Sequence, residues 1–286
     1  KNNLKKKIIF TSSTQSKLKN NYGRSKKKCE EILKKFSKKN KSNLIILRLP
    51  NIFGKWSKPN YNSVVSTFCH NISRDKDNNI ISPNKILNLM YIDDLILLLE
   101  KLINKKTKNI LTISKFKNIK KIKVKDLHKL ILNFEKLRNK LYIKNLSNRF
   151  VKNLYATFIS FIPLKKIKYN LLNHNDSRGS FAEFIKADNF GQISIFKAKK
   201  NQIRGHHFHH TKIEKFLVIN GKAKFYMKDV SSNQKIEFIL DDKSPTVIET
   251  IPGWQHYIKN IGQSELSVLL WSNEVYNVKK PDTYQL

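Results

Sequence analysis

Apolar residues in the first half of the chain fall in short unbroken runs that end in small or polar residues. Residues 8–10 lead into Ser12 and Ser13, and residues 44–49 lead into a polar loop. Unbroken apolar runs are typical of strands that are buried on both faces, as in a parallel sheet. Open α/β sheets bind their ligands beyond the carboxyl ends of such strands. The hydroxyls after the first strand are therefore predicted to lie at a ligand site.

Helical patterns alternate with these strands. Residues 22–39 and 125–141 have helical composition, and an amphipathic helix starts near residue 91 with Asp93 or Asp94 as its predicted N-cap. The alternation of strands and helices predicts an α/β domain.

The second half of the chain shows a different pattern, with many short strands separated by turn residues. This pattern predicts a β-sandwich or jelly roll. We therefore predict a partial α/β domain over residues 1–150, a connector rich in aromatic residues over 151–170, and an all-β domain over 171–286. The predicted strands of the all-β domain are residues 191–196, 215–219, 223–227, 235–240, 246–249 and 266–271.

Charge and cysteine content restrict the function classes. The formal net charge is +36, yet only seven of the 57 basic residues are arginine, and the lysines are scattered along the whole chain. A dedicated nucleic-acid reader would use more arginine on one face, so we expect no specific nucleic-acid partner and favour an anionic substrate. Two cysteines suit a reduced, cytoplasmic protein, and no apolar run approaches the ~20 residues of a membrane span.

Tyr22 and Lys26 form the first candidate catalytic pair. They are four positions apart in a predicted helix and therefore share a face. A nearby ammonium favours the phenolate, which suits proton exchange with a carbonyl or alcohol oxygen. In a chain so rich in lysine a surface pair is the alternative, but the pair follows the strand that ends in Ser12 and Ser13.

This half of the chain resembles the extended short-chain dehydrogenase/reductases. The resemblance is carried by the serines at the strand end, the Tyr-x-x-x-Lys pair, Arg-Leu-Pro-Asn-Ile-Phe-Gly at residues 48–54, and Tyr-Ile-Asp-Asp-Leu at residues 91–95. It implies the carboxyl-terminal part of a Rossmann-type fold. By this resemblance Ser13 (or Ser12) orients the substrate carbonyl, Tyr22 is the acid/base, Lys26 holds the nicotinamide ribose, and Arg48 and Asn51 bind substrate.

The family's phosphate-binding turn is missing from the sequence. None of the 8 glycines belongs to a Gly-x-x-Gly-x-x-Gly array, which brings backbone N–H groups to the dinucleotide pyrophosphate. The chain also begins with Lys1 and runs almost directly into a strand. We therefore expect an amino-terminal truncation of a parent that binds NADP(H), and weak or no binding of NADP(H) by this chain.

Four residues of the second half have the chemistry of a metal site. His207 and His209 alternate along an extended segment and so point to one face, Glu214 precedes the next strand, and His256 follows a Pro-Gly turn. Three imidazoles and a carboxylate can bind Zn²⁺ or a similar divalent ion. A cluster of surface histidines is the alternative.

The order of these residues resembles the cupin superfamily, which implies a jelly-roll β-barrel with the metal ligands pointing inside. Asp-x-Arg-Gly-x-Phe-x-Glu at residues 176–183 further resembles cupins that act on nucleotide-linked 4-keto sugars. By that resemblance Arg178 contacts the nucleotide diphosphate, for which its planar fork is suited. Alternatively, Arg178 is simply a residue of a turn.

A reductase half joined to a metal cupin resembles a family of bifunctional capsular polysaccharide enzymes over essentially the whole chain. This resemblance implies metal-dependent C3 epimerisation of a UDP-4-keto-2-acetamido-dideoxyhexose and NADPH-dependent C4 reduction. The product would be UDP-2-acetamido-2,6-dideoxy-L-talose, on the route to UDP-N-acetyl-L-fucosamine. His206, His210 and Lys215 are equal candidates for the general base, and a homodimer through the cupin domain is expected by analogy.

Other functions remain open at the level of sequence. Three histidines and a glutamate also bind Fe(II) in cupin oxygenases. A non-catalytic binding module, stabilised by a metal and left by truncation, is a further alternative.

Overall fold

The computed structural model of the chain describes residues 7–105 and 109–285. Its contacts divide it into two compact units. The first unit comprises Lys1–Asn133 and Asn148–Leu164, and the second comprises Phe134–Ser147 and Lys165–Leu286. The predicted change of architecture near the middle of the chain is present, and the contacts divide the chain at other positions than the predicted 150 and 170.

Both differences from the predicted boundaries have a local cause. Residues 134–147 belong to the second unit because the amide of Ile143 donates to the carbonyl of Lys186, and the amide of Lys186 donates to the carbonyl of Leu141. The predicted connector contains a helix of the first unit, in which Leu154 and Phe158 are fully buried. The carbonyl of Phe161, just after that helix, accepts hydrogen bonds from other side chains of the first unit.

The first unit contains six strands and most of the helical residues. The strands are β1 (Lys7–Ser13), β2 (Asn43–Leu49), β3 (Asn51–Phe53), β4 (Ile86–Tyr91), β5 (Ile110–Ile113) and β6 (Lys120–Lys123). The helices are α1 (Asn21–Lys39), α2 (Val64–Ile72), α3 (Ile92–Asn104), α4 (Val124–Arg138), which begins in the first unit and ends in the second, and α5 (Arg149–Ile159).

Two small sheets organise these strands. β1, β2 and β5 form a parallel sheet with β2 at its centre. β3 pairs in parallel with β4, and β6 adds to β4 in the antiparallel direction. The apolar run at Leu44–Leu47 lies on the central strand and is completely buried. A strand buried on both faces needs such a run, which explains why the α/β prediction was correct for this half.

The amphipathic helix predicted near residue 91 is α3, but its capping differs from the prediction. The helix begins at Ile92, its N-cap position is Tyr91, and no side chain caps it. Asp93 and Asp94 therefore lie inside the first turn, where a carboxylate interacts favourably with the helix dipole. Asp94 also pairs with Arg149 of α5.

A buried ion pair attaches α1 to the parallel sheet. Glu30 of α1 is 1% exposed, and its carboxylate accepts hydrogen bonds from Arg48 at 2.6 Å and from the hydroxyl of Ser12 at 2.6 Å. Although burial alone would raise it, these hydrogen bonds hold the pKa of Glu30 below its ordinary value. The pair fixes the ends of β1 and β2 against the helix.

The second unit is a pair of antiparallel sheets. Its strands are β7 (Asn173–Asp176), β8 (Gly179–Ala187), β9 (Gly191–Ala198), β10 (Ile203–His207), β11 (Glu214–Asn220), β12 (Lys222–Asp229), β13 (Lys235–Asp241), β14 (Val247–Glu249), β15 (Trp254–Asn260) and β16 (Leu266–Ser272). One sheet has the order β14-β11-β16-β9-β8-β7, and the other has the order β10-β15-β12-β13.

The two sheets of the second unit share one core. Phe216 on the six-stranded sheet packs against Phe225 on the four-stranded sheet, with ring centroids 5.0 Å apart. Ile258 and Val268 join the same buried cluster from the two sheets. The arrangement matches the predicted β-rich architecture. Among the residues that the structure describes, however, no ladder joins the sheets into a closed barrel, so the expected cupin jelly roll stays a prediction.

Within the described ranges, no helix combines the length and the apolar character that crossing a bilayer requires.

We predict that Arg48→Met lowers the free energy of unfolding of the protein by about 3 kcal/mol, because it leaves the carboxylate of Glu30 buried without its counter-ion. The double variant Arg48→Met/Glu30→Leu should recover most of this loss, since both charges are then removed. Urea denaturation followed by circular dichroism measures both. Arg24→Met on the exposed surface of α1 serves as the control and should change stability by less than about 0.5 kcal/mol. Equal destabilisation in the single and double variants would contradict the predicted role of the pair.

Candidate functional site

The four predicted metal ligands come together at one end of the second unit. His207 is the last residue of β10, and the strand register sets it directly opposite His256 on β15. Glu214 is the first residue of β11, and His209 lies in the loop between β10 and β11. One ligand atom from each of these residues lies within 4.8 Å of the others. The antiparallel pairing therefore brings together residues that are far apart in sequence.

A β-bulge decides which histidines face the cluster. The register between β10 and β15 shifts between Gly205 and His207, so that His206 is the extra residue. Gly205 has φ of +92°, and a Cβ there would lie 3.0 Å from the carbonyl oxygen of His256, so glycine is required. The bulge turns the ring of His206 outward, where it stacks on Tyr257.

The cluster is buried, and the partners of His209 define its tautomer. His209 and His256 are each 1% exposed. Nδ1 of His209 hydrogen-bonds the main-chain oxygen of Asp282. Since a carbonyl only accepts, this Nδ1 carries the proton, and Nε2 of His209 presents a lone pair to the cluster, which is the arrangement typical of metal-binding histidines. His256 lies 3.3 Å from an acceptor at both ring nitrogens, the carbonyl oxygen of Trp254 at Nδ1 and Oε2 of Glu214 at Nε2.

The lone pairs in the cluster oppose one another. Oε2 of Glu214 lies 3.3 Å from Nε2 of His209 and 3.3 Å from Nε2 of His256. With its proton on Nδ1, Nε2 of His209 cannot donate to this carboxylate and is buried without a hydrogen-bond partner, whereas Nε2 of His256 is within hydrogen-bonding distance of it. A cation among these atoms would satisfy all of them at once. The donor set of three imidazoles and one carboxylate fits zinc or a similar divalent ion.

His207 is also kept neutral. Burial, reinforced by the neighbouring His256, lowers the pKa of His207 to about 4. At neutral pH its ring is therefore unprotonated, as metal binding requires.

Residues 282–284, which we call the C-terminal clamp, hold the loop that carries His209. The carboxylate of Asp282 accepts hydrogen bonds from the amides of His210, Thr211 and Lys212 at 2.7–2.9 Å. Tyr284 exchanges two backbone hydrogen bonds with Phe208. These amide bonds hold the pKa of Asp282 below its ordinary value despite the opposing effect of desolvation. The clamp thus fixes the backbone on both sides of His209.

A cavity of about 460 Å³ opens beside the cluster, and His207 and Glu214 lie on its wall. Three cationic side chains line it as well: Arg178, Arg204 and Lys212. Asp176 pairs with Arg178 at 2.7 Å and with Arg204 at 3.2 Å. The predicted substrate residue Arg178 therefore faces the cavity. An anionic ligand fits these walls better than a neutral one.

The three candidate general bases from the sequence are not among the residues that line this cavity. His206 is turned out by the bulge. Lys215 follows Glu214 on β11, so strand alternation points it to the opposite face, where it pairs with Glu249. His210 is exposed and packs against Tyr284 of the clamp.

The first unit has its own cavity, of about 380 Å³, at the carboxyl ends of β1 and β2. Tyr22, Lys26 and Asn51 line it together with Ser12 and Ser13. The structure therefore gathers most of the predicted reductase residues in one place.

The first turn of α1 brings the catalytic pair to this cavity. Asn20 caps the helix by accepting a hydrogen bond from the amide of Gly23 at 2.6 Å. A Cβ at Gly23 would lie 2.2 Å from the carbonyl oxygen of Gln15, so the turn can pack this closely only with glycine. Nζ of Lys26 donates to the carbonyl of Thr11 at 3.1 Å and lies 5.8 Å from the ring centroid of Tyr22.

Ser12, Ser13 and Arg48 differ in whether their polar side-chain atoms are already bound within the protein. The hydroxyl of Ser12 is bonded to Glu30, whereas Ser13 accepts only the amide of Gln15, at 3.1 Å, which leaves Ser13 the more available of the pair. Arg48 is not among the residues that line the cavity, because its guanidinium is bound to Glu30. Its predicted contact with substrate stays a prediction.

Sequence reasoning missed three residues of the second site: Arg204, Lys212 and Asp282. Arg204 directly precedes the bulge, and Lys212 lies between two predicted ligands, so proximity in sequence was the available signal. Asp282 lies about 70 positions after the loop that it holds, and no local pattern indicates that contact.

Two family matches cover most of the chain. Residues 5–113 match the NAD dependent epimerase/dehydratase family, and residues 174–284 match the polysaccharide biosynthesis C-terminal domain. The first match implies a nucleotide cofactor for the α/β unit. A Rossmann-like epimerase/dehydratase domain followed by this C-terminal domain defines a nucleotide-sugar-modifying enzyme of polysaccharide biosynthesis.

Individual relatives define the family more closely than the two domain matches do. The chain is 38% identical over 277 residues to the UDP-2-acetamido-2,6-beta-L-arabino-hexul-4-ose reductase of Pseudomonas aeruginosa, covering 97% of this chain and 74% of the relative. The crystal structure of the capsular polysaccharide assembling protein CapF from Staphylococcus aureus superimposes with a TM-score of 0.91 at 35% identity, covering 99% of this chain and 76% of that one. The chain belongs to this CapF and hexulose reductase family, as its sequence motifs predicted.

A more distant relative matches part of the chain. The spore coat polysaccharide biosynthesis protein SpsL of Bacillus subtilis is 25% identical over 127 residues, covering 41% of this chain and 83% of SpsL.

We predict that Asp282→Ala speeds hydrogen exchange at the amides of His210, Thr211 and Lys212 by at least about tenfold, because these amides lose their acceptor. Exchange measured residue by residue with NMR tests this. Asp242→Ala is the matched control, since Asp242 caps a single amide in another turn, that of Gly221, at 2.8 Å. Unchanged protection in Asp282→Ala would show that the clamp does not hold the loop.

Proposed function

We propose that the second unit catalyses metal-dependent C3 epimerisation of a UDP-4-keto-2-acetamido-dideoxyhexose, and that the first unit carries the acid/base of a C4 reduction. The single observation that carries the epimerase proposal is the buried His/Glu cluster on the wall of a cationic cavity. The name of the Pseudomonas relative describes a 4-keto sugar linked to UDP, which supports the substrate class.

The chemistry at C3 follows from the ketone at C4. When the C3–H bond breaks, its electron pair forms the C3–C4 double bond, and the π pair of the ketone moves onto the C4 oxygen. The proton passes to an acceptor in the cavity, and a proton from solvent returns to the opposite face of C3, which inverts the centre. A divalent ion bound by His207, His209, Glu214 and His256 would supply Lewis acidity to this site.

The cavity walls suit the rest of this substrate. Arg178 and Arg204 share the carboxylate of Asp176, and their planar forks match the oxygens of a diphosphate. Phe181 and Phe196 add apolar surface to the same cavity. We propose that the arginines hold the UDP diphosphate while the sugar reaches the His/Glu cluster.

In the first unit, Tyr22 would donate a proton to the C4 oxygen as that carbon is reduced by a dihydronicotinamide. The contact of Lys26 with the ring of Tyr22 supports this role. The fit of the dinucleotide is partial, because no described residue supplies a Gly-rich turn for its pyrophosphate. Among the chain's own residues, Tyr22 would therefore supply the proton for the reduction. The final product, UDP-2-acetamido-2,6-dideoxy-L-talose on the route to UDP-N-acetyl-L-fucosamine, belongs to the same proposal.

The most direct test is proton NMR of the UDP-4-keto sugar incubated with the protein in D₂O. Deuterium should enter at C3 with the zinc-loaded protein and should not enter after treatment with a chelator. The absence of C3 exchange in the zinc-loaded protein would contradict the epimerase proposal. Oxygen consumption by the protein loaded with Fe(II) would instead support an iron-dependent oxygenase.

The two sites should respond to different substitutions. We predict that His207→Ala lowers bound zinc and reduces C3 exchange by at least about 100-fold, because one ligand of the cluster is lost. Tyr22→Phe should leave zinc content and C3 exchange unchanged and reduce only NADPH-dependent turnover. Elemental analysis, C3 exchange and NADPH oxidation measure the three quantities. Equal loss of both activities in either variant would argue against two separate sites.

A further inference from the structure

Lys212 is a buried cation on the wall of the metal-cluster cavity. Its side chain is 6% exposed, and the cavity that it lines also exposes His207 and Glu214. Its Nζ donates one hydrogen bond, to the hydroxyl of Thr283 at 2.9 Å, and lies 5.9 Å from the ring centroid of Tyr276. Within the part of the chain that the structure describes, no carboxylate reaches ion-pair distance of this ammonium.

The other two cations on the cavity wall have an anionic partner, and Lys212 has none among the described residues. Arg178 and Arg204 share one carboxylate, that of Asp176. A buried ammonium without an anionic partner costs several kcal/mol, so a fold that retains one in a cavity is adapted to a ligand that brings negative charge.

The C-terminal clamp fixes Lys212 at both ends. Asp282 accepts the hydrogen bond of its amide at 2.8 Å, and Thr283 accepts that of its ammonium. A lysine tail that is tethered in this way has lost its rotamer freedom before any ligand binds. Its charge is therefore preorganised at one point of the cavity, as is typical of groups that stabilise charge in a transition state.

We infer that Lys212 is a catalytic residue whose ammonium contacts the C4 oxygen of the keto sugar and stabilises the negative charge that this oxygen gains when C3 is deprotonated. The inference rests on the epimerase proposal and adds a residue that the sequence did not indicate. The chemistry of the cations supports the division of roles. A compact ammonium suits one oxygen, whereas the arginine forks suit the paired oxygens of a diphosphate.

The test compares Lys212→Met with Lys212→Arg and with Lys215→Met. Lys215, three positions away, is an exposed lysine outside the cavity and is the matched control. The kcat and KM of C3 deuterium exchange, zinc content and melting temperature are measured for each variant. Lys212→Met should lower kcat by about 100- to 1,000-fold, the loss expected for one oxyanion-stabilising donor. KM should change by less than about fivefold, since the interaction develops in the transition state.

Two further results are expected if charge at this point is what matters. Lys212→Arg should exchange at least about tenfold faster than Lys212→Met, because it retains a cation. Lys215→Met should stay within about twofold of the wild type, because an exposed surface pair contributes little. Zinc content and melting temperature should be unchanged in Lys212→Arg.

The outcomes separate the two proposals. If the zinc-loaded wild type shows no C3 exchange, the epimerase proposal fails and the role of Lys212 fails with it. If the wild type exchanges and Lys212→Met exchanges equally fast, only the role of Lys212 is overturned. A rise in KM at constant kcat would make Lys212 a ground-state binding residue, and loss of zinc in both Lys212 variants would make it a structural residue of the cluster. Either result overturns the inference.

Discussion

Three imidazoles and one carboxylate gathered at one buried point form the constraint on which the second unit depends. The register of β10 against β15 sets His207 opposite His256, and the start of β11 adds Glu214. The main-chain oxygen of Asp282 fixes the proton of His209 on Nδ1, so Nε2 of His209 and the carboxylate of Glu214 cannot satisfy one another. Such a cluster is costly to bury unless a cation joins it. The bulge at Gly205 and the C-terminal clamp hold the residues of the cluster in this geometry.

The fold and the cluster are predictable from sequence to different depths. The unbroken apolar run Leu44–Leu47 indicates the central strand without coordinates, and the spacing of His207 and His209 was enough to propose them as metal ligands. The burial of Lys212 could not, because it depends on Thr283, 71 positions away. The ion pair of Arg48 with Glu30 could not be predicted either, because the sequence around an arginine at a strand end does not indicate whether it faces a substrate or a helix.

The extent of the two units and the capping of α3 differ from the sequence-based expectation for related reasons. The segment before Ser147 joins the second unit through backbone pairing with Lys186. Such pairing cannot be predicted from amino-acid composition. Asp93 and Asp94 have the residue type of an N-cap, but the helix begins earlier, at Ile92, and uses them in its first turn. In both cases tertiary contacts decide between local alternatives that the sequence leaves nearly equal.

The coordination of the proposed metal can be measured directly. X-ray absorption at the zinc K-edge of the zinc-loaded protein should show three imidazole nitrogens at about 2.0–2.1 Å and at least one oxygen at a similar distance. His207→Ala should remove one imidazole from that spectrum. A first shell with fewer than three imidazoles, or one that His207→Ala leaves unchanged, would contradict a metal centre built from His207, His209, Glu214 and His256.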